Sequence, residues 1–166
     1  GANTTVTGNV SAYVGGQKTD GTFVGKDINI VGNLYGGSAL GTVNATTTKD
    51  AGGNVTECTA SGGTTTVILR KGNVTGKVFG GGMGEEPTTT TTGTMAKVYG
   101  NTTVTLYGDF VTGGLYGGCD QYGTMYGTTK LDLLGGTVGT PFTTAIPTTG
   151  LEEIVFGGGL GAYTTV

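Results

Sequence analysis

The chain has 166 residues, of which 37 are glycine and 36 threonine, with only 19 charged side chains and a formal charge of −3. That length permits one domain with a continuous core, and the absence of a three-residue glycine period, with only three prolines, excludes collagen. Apolar residues that recur in register argue against disorder, the acidic balance (pI near 4.7) argues against nucleic acid and anionic membrane as partners, and no apolar run reaches membrane-spanning length.

The first strand-like phrase is Thr5-Val6-Thr7, followed by Tyr13-Val14-Gly15-Gly16. Asp27-Ile28-Asn29-Ile30 with Leu34-Tyr35-Gly36-Gly37 reads as a second, shortened unit. A polar insertion over 38–63, around Val55-Thr56-Glu57-Cys58, precedes the first full unit. That unit is Val67-Ile68-Leu69, then Val74-Thr75-Gly76-Lys77-Val78-Phe79-Gly80-Gly81, then Val98-Tyr99-Gly100. It returns as Val104-Thr105-Leu106, Val111-Thr112-Gly113-Gly114-Leu115-Tyr116-Gly117-Gly118 and Met125-Tyr126-Gly127. A third copy opens with Leu131-Asp132-Leu133 and Val138-Gly139 and resumes at Val155-Phe156-Gly157-Gly158.

Val104 to Leu131, Val111 to Val138 and Val98 to Met125 are each 27 residues, whereas Val67 to Val104 and Phe79 to Tyr116 are each 37. The extra residues fall in an insertion over 83–96, and a further insertion covers 139–153. All three prolines lie in these two insertions, as expected if the repeating frame is a hydrogen-bonded ladder that proline would interrupt. A strand phrase recurring at fixed spacing implies stacked equivalent coils, each covering its neighbour's apolar edge. The expected fold is therefore all-β: a single-stranded parallel β-helix, or β-solenoid, right-handed by the crossover preference. It has about five coils with loop insertions, beginning near residues 1, 27, 63, 99 and 127, in a single domain over 1–166.

Side-chain alternation in strands places four columns inside. Val6, Ile28, Val67, Val104 and Leu131 form the first, and Ile30, Leu69, Leu106 and Leu133 the second. Val74, Val111 and Val138 form the third, and Tyr35, Phe79, Tyr116 and Phe156 an aromatic one. Thr103 and Thr105 are expected outside. Tyr99 and Tyr126 should face solvent one above the other, and with Tyr107 and Tyr122 they are the candidate partner-binding surface. Glu85 and Glu86 are added as the charged tip of an insertion.

Catalytic chemistry finds little support. There is no histidine, which removes the usual general base, the usual metal ligand and every Ser-His or Cys-His arrangement. Asp109, Asp120 and Asp132 occupy different positions of the frame, Arg70 is the only arginine, and Glu85-Glu86 and Glu152-Glu153 sit in insertions at different phases. The glycine runs lack the Gly-Lys-Ser/Thr ending of a phosphate loop, and only Gly117-Gly118-Cys119-Asp120 resembles a calcium-binding coil. The expectation is a chain that is not an enzyme and has no cofactor and no metal. Cys58 and Cys119 read as two separate thiols. Asn-X-Ser/Thr triplets at Asn3, Asn9, Asn44, Asn54, Asn73 and Asn101 read as by-products of asparagine in turns and threonine in strands.

The phrases Thr-Thr-Val-Thr-Leu, Val-Thr-Gly-Gly-Leu-Tyr-Gly-Gly and Gly-Thr-Met-Tyr-Gly resemble the Gly/Thr-rich repeats of adhesin-like bacterial surface proteins, similar in style to the β-helical passenger regions of autotransporters. The resemblance implies a secreted or surface-attached protein used for attachment to a host or neighbouring-cell glycan or protein, or as a stalk. It also suggests a piece of a longer repeat protein. Self-association end to end is a further expectation. A carbohydrate-binding or carbohydrate-degrading β-helix is the alternative, and an ice-binding solenoid a minor one, because Thr5-Val6-Thr7 and Thr103-Val104-Thr105 recur while the coils between them break the pattern.

Overall fold

The computed structural model describes residues 4–25, 28–139 and 155–166, among which there are seventeen strands and no helix. A first pass of the chain contains β1 (Thr5–Val6), β2 (Val10–Val14), β3 (Gly16–Gln17), β4 (Phe23–Val24), β5 (Asn29–Ile30) and β6 (Leu34–Tyr35). The second contains β7 (Thr42–Val43), β8 (Ala45–Lys49), β9 (Val55–Ala60) and the long β10 (Thr64–Phe79). The third consists of β11 (Ala96–Val98) and β12 (Asn101–Tyr116). The fourth has β13 (Tyr122–Met125), β14 (Thr129–Leu133), β15 (Thr137–Val138) and β16 (Val155–Phe156), and β17 (Tyr163–Thr165) opens another.

Two parallel sheets collect these passes. One has the order β1-β7-β11-β13-β17, and the other β2-β10-β12-β14, with β5 and β6 also on β10 and β15 and β16 also on β12. Among the described residues, only the hairpins β3–β4 and β8–β9 and an isolated bridge between Glu85 and Thr94 are antiparallel. The 27- and 37-residue spacings correspond to real ladders: Val67 pairs with Val104 and Val104 with Leu131, and Leu69 pairs with Leu106 and Leu106 with Leu133. Val67, Leu69, Val104 and Leu106 are sealed from solvent, together with Val14, Val74, Val78, Phe110 and Leu115, in one aliphatic cluster. Val43, Val98, Cys119 and Met125 form a second cluster behind the first sheet.

The first pass differs from the expected columns. Val6 lies on Val43 in the first sheet, whereas Ala12 and Val14 lie on Val67 and Leu69. Ile30 lies on Val74, so Asn29–Ile30 belongs to the pass that began at Thr5 and does not open a new one. A short repeat has too few apolar landmarks to show which strand of the turn each represents. The third column is also shifted: Val74 faces Thr112, which is buried, while Val111 is 45% exposed and Phe110 fully buried. The cause is a bulge. Leu106 and Asp109 stand opposite Leu69 and Lys71, so β12 carries one extra residue there and gives it back between Thr112 and Gly114. One residue of slip turns every side chain to the other face. Thr105, expected outside, is only 9% exposed.

The aromatic column is continuous. Tyr35, Phe79, Tyr116 and Phe156 pair in register and stack with ring centroids 5.3, 4.9 and 5.5 Å apart. Its neighbours Leu34, Val78, Leu115 and Val155 point into the aliphatic cluster. By alternation the rings occupy the opposite face of the strand from that cluster, not the interior expected for them. Phe79 and Tyr116 are nevertheless fully buried, whereas Phe156 is exposed.

Each aromatic is followed by a Gly-Gly corner. Gly36, Gly80 and Gly117 donate their N–H groups to Phe79, Tyr116 and Phe156 at 2.8, 2.8 and 2.9 Å. A Cβ at Gly80 would lie 2.4 Å from Thr102 Cγ2 and 2.5 Å from the Gly117 carbonyl oxygen. The corner is thus packed backbone on backbone, which only glycine allows.

At the corner between the two sheets, Asn44 holds φ at 59°, the left-handed region that asparagine tolerates. It is fully buried. Its amide donates to the carbonyl oxygens of Gly8 (2.6 Å) and Thr64 (3.1 Å), and its Oδ1 accepts from the Thr65 hydroxyl at 2.6 Å. Asn44 is therefore a structural tie between two passes, and the triplet it begins is closed to modification.

Candidate functional site

The acidic residues stay apart. Asp109 pairs with Lys71 at 2.9 Å, and Asp132 pairs with Lys130 at 2.9 Å in register with Thr105. Asp120, buried behind the Gly-Gly corner, accepts a 2.6 Å hydrogen bond from the Tyr35 hydroxyl. Burial and this neighbouring carboxylate push the Tyr35 hydroxyl up to about 12. Among the described residues no three His, Cys, Asp or Glu side chains gather to hold a metal ion. Glu152 and Glu153 lie outside the described residues, as does nearly all of the 139–153 insertion. Both cysteines are free: Cys58 is half-buried on β9, while Cys119 is buried beside Met125, and that burial pushes its thiol up to about 11.

The four candidate tyrosines divide into three groups. Tyr99 and Tyr126 follow the inward Val98 and Met125, and Tyr126 N–H donates to the Val98 carbonyl oxygen at 2.8 Å. Their rings therefore stack one pass apart, with centroids 4.3 Å apart and 20° between planes. Tyr126 is 53% exposed. Burial first, then the neighbouring Tyr126 and Cys58, raises the Tyr99 hydroxyl above its ordinary value. Tyr122 stands at the other end of β13, where it meets Tyr163 edge-on at 5.9 Å. On the extended-strand rise, Tyr122 and Tyr126 are about 13 Å apart along the chain. Tyr107 lies on the other sheet and packs on Phe23 from the β3–β4 hairpin at 5.0 Å.

Glu85 and Glu86 are exposed on the insertion expected to carry them. Reciprocal hydrogen bonds between Glu85 and Thr94, 2.8 and 2.9 Å long, close that loop at its neck, and Thr88 organises its tip through the N–H groups of Thr90 and Thr91. Between the loop and the first sheet runs an open groove of about 400 Å³ lined by Leu40, Thr42, Thr92, Thr94, Met95 and Lys97. Lys97 and Tyr99 are alternate residues at the end of β11, so the groove and the Tyr99–Tyr126 pair share the outward face of the first sheet.

Sequence reasoning missed two residues on these surfaces, Phe23 and Tyr13. Phe23 lies on the β3–β4 hairpin, which occurs in one pass only, and Tyr13 opens the degenerate phrase Tyr13-Val14-Gly15-Gly16 but pairs with Ile68 and not with the aromatic column. No family model matches this sequence, and no curated protein or solved structure is significantly similar to it.

Proposed function

We propose that the chain is a section of a parallel β-helix, four turns and the start of a fifth. Its role is that of a non-catalytic attachment or stalk module of a bacterial extracellular surface protein. The observation that carries this reading is the stacked Tyr99–Tyr126 pair, half-buried at Tyr99 and exposed at Tyr126, on the outward face of a parallel sheet that also borders the groove of the 83–95 loop. Preformed aromatic surface at low side-chain entropy is what a binding face needs. The stack supports the stalk: each pass templates the next, and the outermost passes carry large apolar residues in solvent. Val6 and Val31 lie at one end, and Leu134, Tyr163 and Val166 at the other, as surfaces that another pass or another copy would cover.

The test is a screen of the chain against immobilised glycans and matrix proteins, repeated with Tyr126→Ala, Tyr99→Ala and a loop shortened over 88–92. An attachment module binds one class of ligand, loses about tenfold or more with either tyrosine change, and keeps its melting midpoint. A pure spacer binds nothing, and turnover of a polysaccharide on the panel overturns the non-catalytic reading.

A further inference from the structure

On the outward face of the second sheet, the chain's single arginine lies over an aromatic ring and pairs with no anion among the described residues. Arg70 follows Leu69 and Tyr107 follows Leu106 on paired strands, both at the bulge where the register shifts. The Arg70 guanidinium lies over the Tyr13 ring at 5.5 Å, and Tyr107 in turn packs on Phe23. Tyr13, Arg70 and Tyr107 therefore come from three successive passes, with the β3–β4 hairpin reaching down across them to bring in Phe23. Arg70 Nε is sealed from solvent and has no hydrogen-bond partner. The adjacent cations are already satisfied: Lys71 by Asp109 and Lys130 by Asp132. Arg70 alone of these three is desolvated in part and unpaired, the state in which a charged donor gains most from an incoming anion.

We infer that Arg70, with the exposed ring of Tyr13 and the Phe23–Tyr107 pair, is a binding site for an acidic sugar. The terminal nitrogens of the guanidinium would take the carboxylate end-on, in the two-pronged geometry that arginine offers and lysine does not. The ring of the sugar would lie against the part of Tyr13 that the guanidinium leaves open, that residue being 59% exposed. A uronic acid unites those two features, a carboxylate and an apolar ring face, within one residue. Asp109, in register with Lys71, and Asp132, in register with Thr105, belong to the same sheet, each occupied by its lysine, and they would disfavour a ligand carrying dense negative charge. This site is on a different sheet from the Tyr99–Tyr126 pair and does not depend on the attachment reading.

Titration calorimetry of the whole chain with trigalacturonate, its methyl ester and an acetylated triglutamate peptide tests the inference. The acid sugar should bind, with an affinity that falls as salt is raised, while the ester and the peptide each bind about tenfold more weakly or worse. Arg70→Gln and Tyr13→Ala should each cost about tenfold, and Arg70→Lys nearly as much as Arg70→Gln because the fork is lost. Circular dichroism and the melting midpoint identify a variant that has merely unfolded, and for such a variant the ester-against-acid comparison on the unaltered chain stands as the deciding measurement. Equal binding of acid and ester, peptide binding as tight as the sugar, an Arg70→Gln variant that binds like the parent, or no binding at about 5 mM trigalacturonate would each overturn it.

Discussion

The hydroxyl of Tyr35 donates to the Asp120 carboxylate across 85 residues of sequence, at 2.6 Å, joining the first pass to the corner that follows the third. Because the folded protein holds the Tyr35 hydroxyl at about 12, above the value near 10 of the free side chain, the folded state keeps its proton where the unfolded state has lost it. The stability linked to Tyr35 is therefore complete below about pH 10 and is lost as pH rises toward about 12. Tyr35→Phe removes this linkage, so the fall of melting midpoint over that window should be shallower than in the parent. At neutral pH the same change leaves Asp120 without its hydroxyl donor and should cost about 1–2 kcal/mol.

Val104 and Val111 make a matched pair of tests for the register, since one is fully buried and the other 45% exposed. Val104→Asp buries an unpaired carboxylate and should cost about 3 kcal/mol or more, whereas Val111→Asp should stay within about 0.5 kcal/mol. Chemical denaturation of the two variants checks this. Equal midpoints would mean that the bulge after Leu106 is misplaced.

Gly80 and Gly108 are a second contrast. A methyl group at Gly80 meets the Gly117 carbonyl and Thr102, while at Gly108 it meets nothing within 4 Å. Gly80→Ala should destabilise by about 1–3 kcal/mol or more, as overpacking against an unyielding backbone does. Gly108→Ala should be neutral, or stabilising by up to about 1 kcal/mol through the unfolded state.

Thiol labelling separates the two cysteines. Cys58 lies half-buried on β9, but Cys119 is enclosed and its thiolate is disfavoured by burial. A thiol-specific reagent at pH 8 should modify Cys58 promptly and Cys119 only on unfolding, with labelled peptides identified by mass spectrometry. Prompt modification of Cys119 would show that the corner behind Gly118 opens readily.

The middle passes were legible from sequence because their apolar residues recur at one spacing: Val67, Val104 and Leu131 needed only subtraction. The parallel all-β architecture followed from that arithmetic. What stayed hidden were departures from periodicity. The extra residue before Phe110 moved Val111 outward, and no local signal distinguishes a bulge at Gly108 from a continuous strand. The first pass was misassigned because β1, β5 and β6 are two residues long, too short to carry a phase. For the candidate surface, the spacing of Tyr99 and Tyr126 revealed their stack. Tyr107 found its partner Phe23 through a hairpin present in one pass only, which repetition cannot disclose.

The pairing pattern also dictates how slowly this fold is reached. Thr64 meets Asn101 and Thr65 meets Val10, so the main ladders join residues that the unfolded chain keeps far apart. The β3–β4 and β8–β9 hairpins are local, the latter with its turn held by the Asp50 carboxylate accepting the N–H groups of Gly52 and Asn54 at 2.9 Å. Such a hairpin forms in about microseconds, whereas distant parallel pairings must first close long, glycine-rich loops and take about milliseconds to seconds. The rate-limiting event is the first docking of one pass on another, after which every later strand finds its edge already laid down.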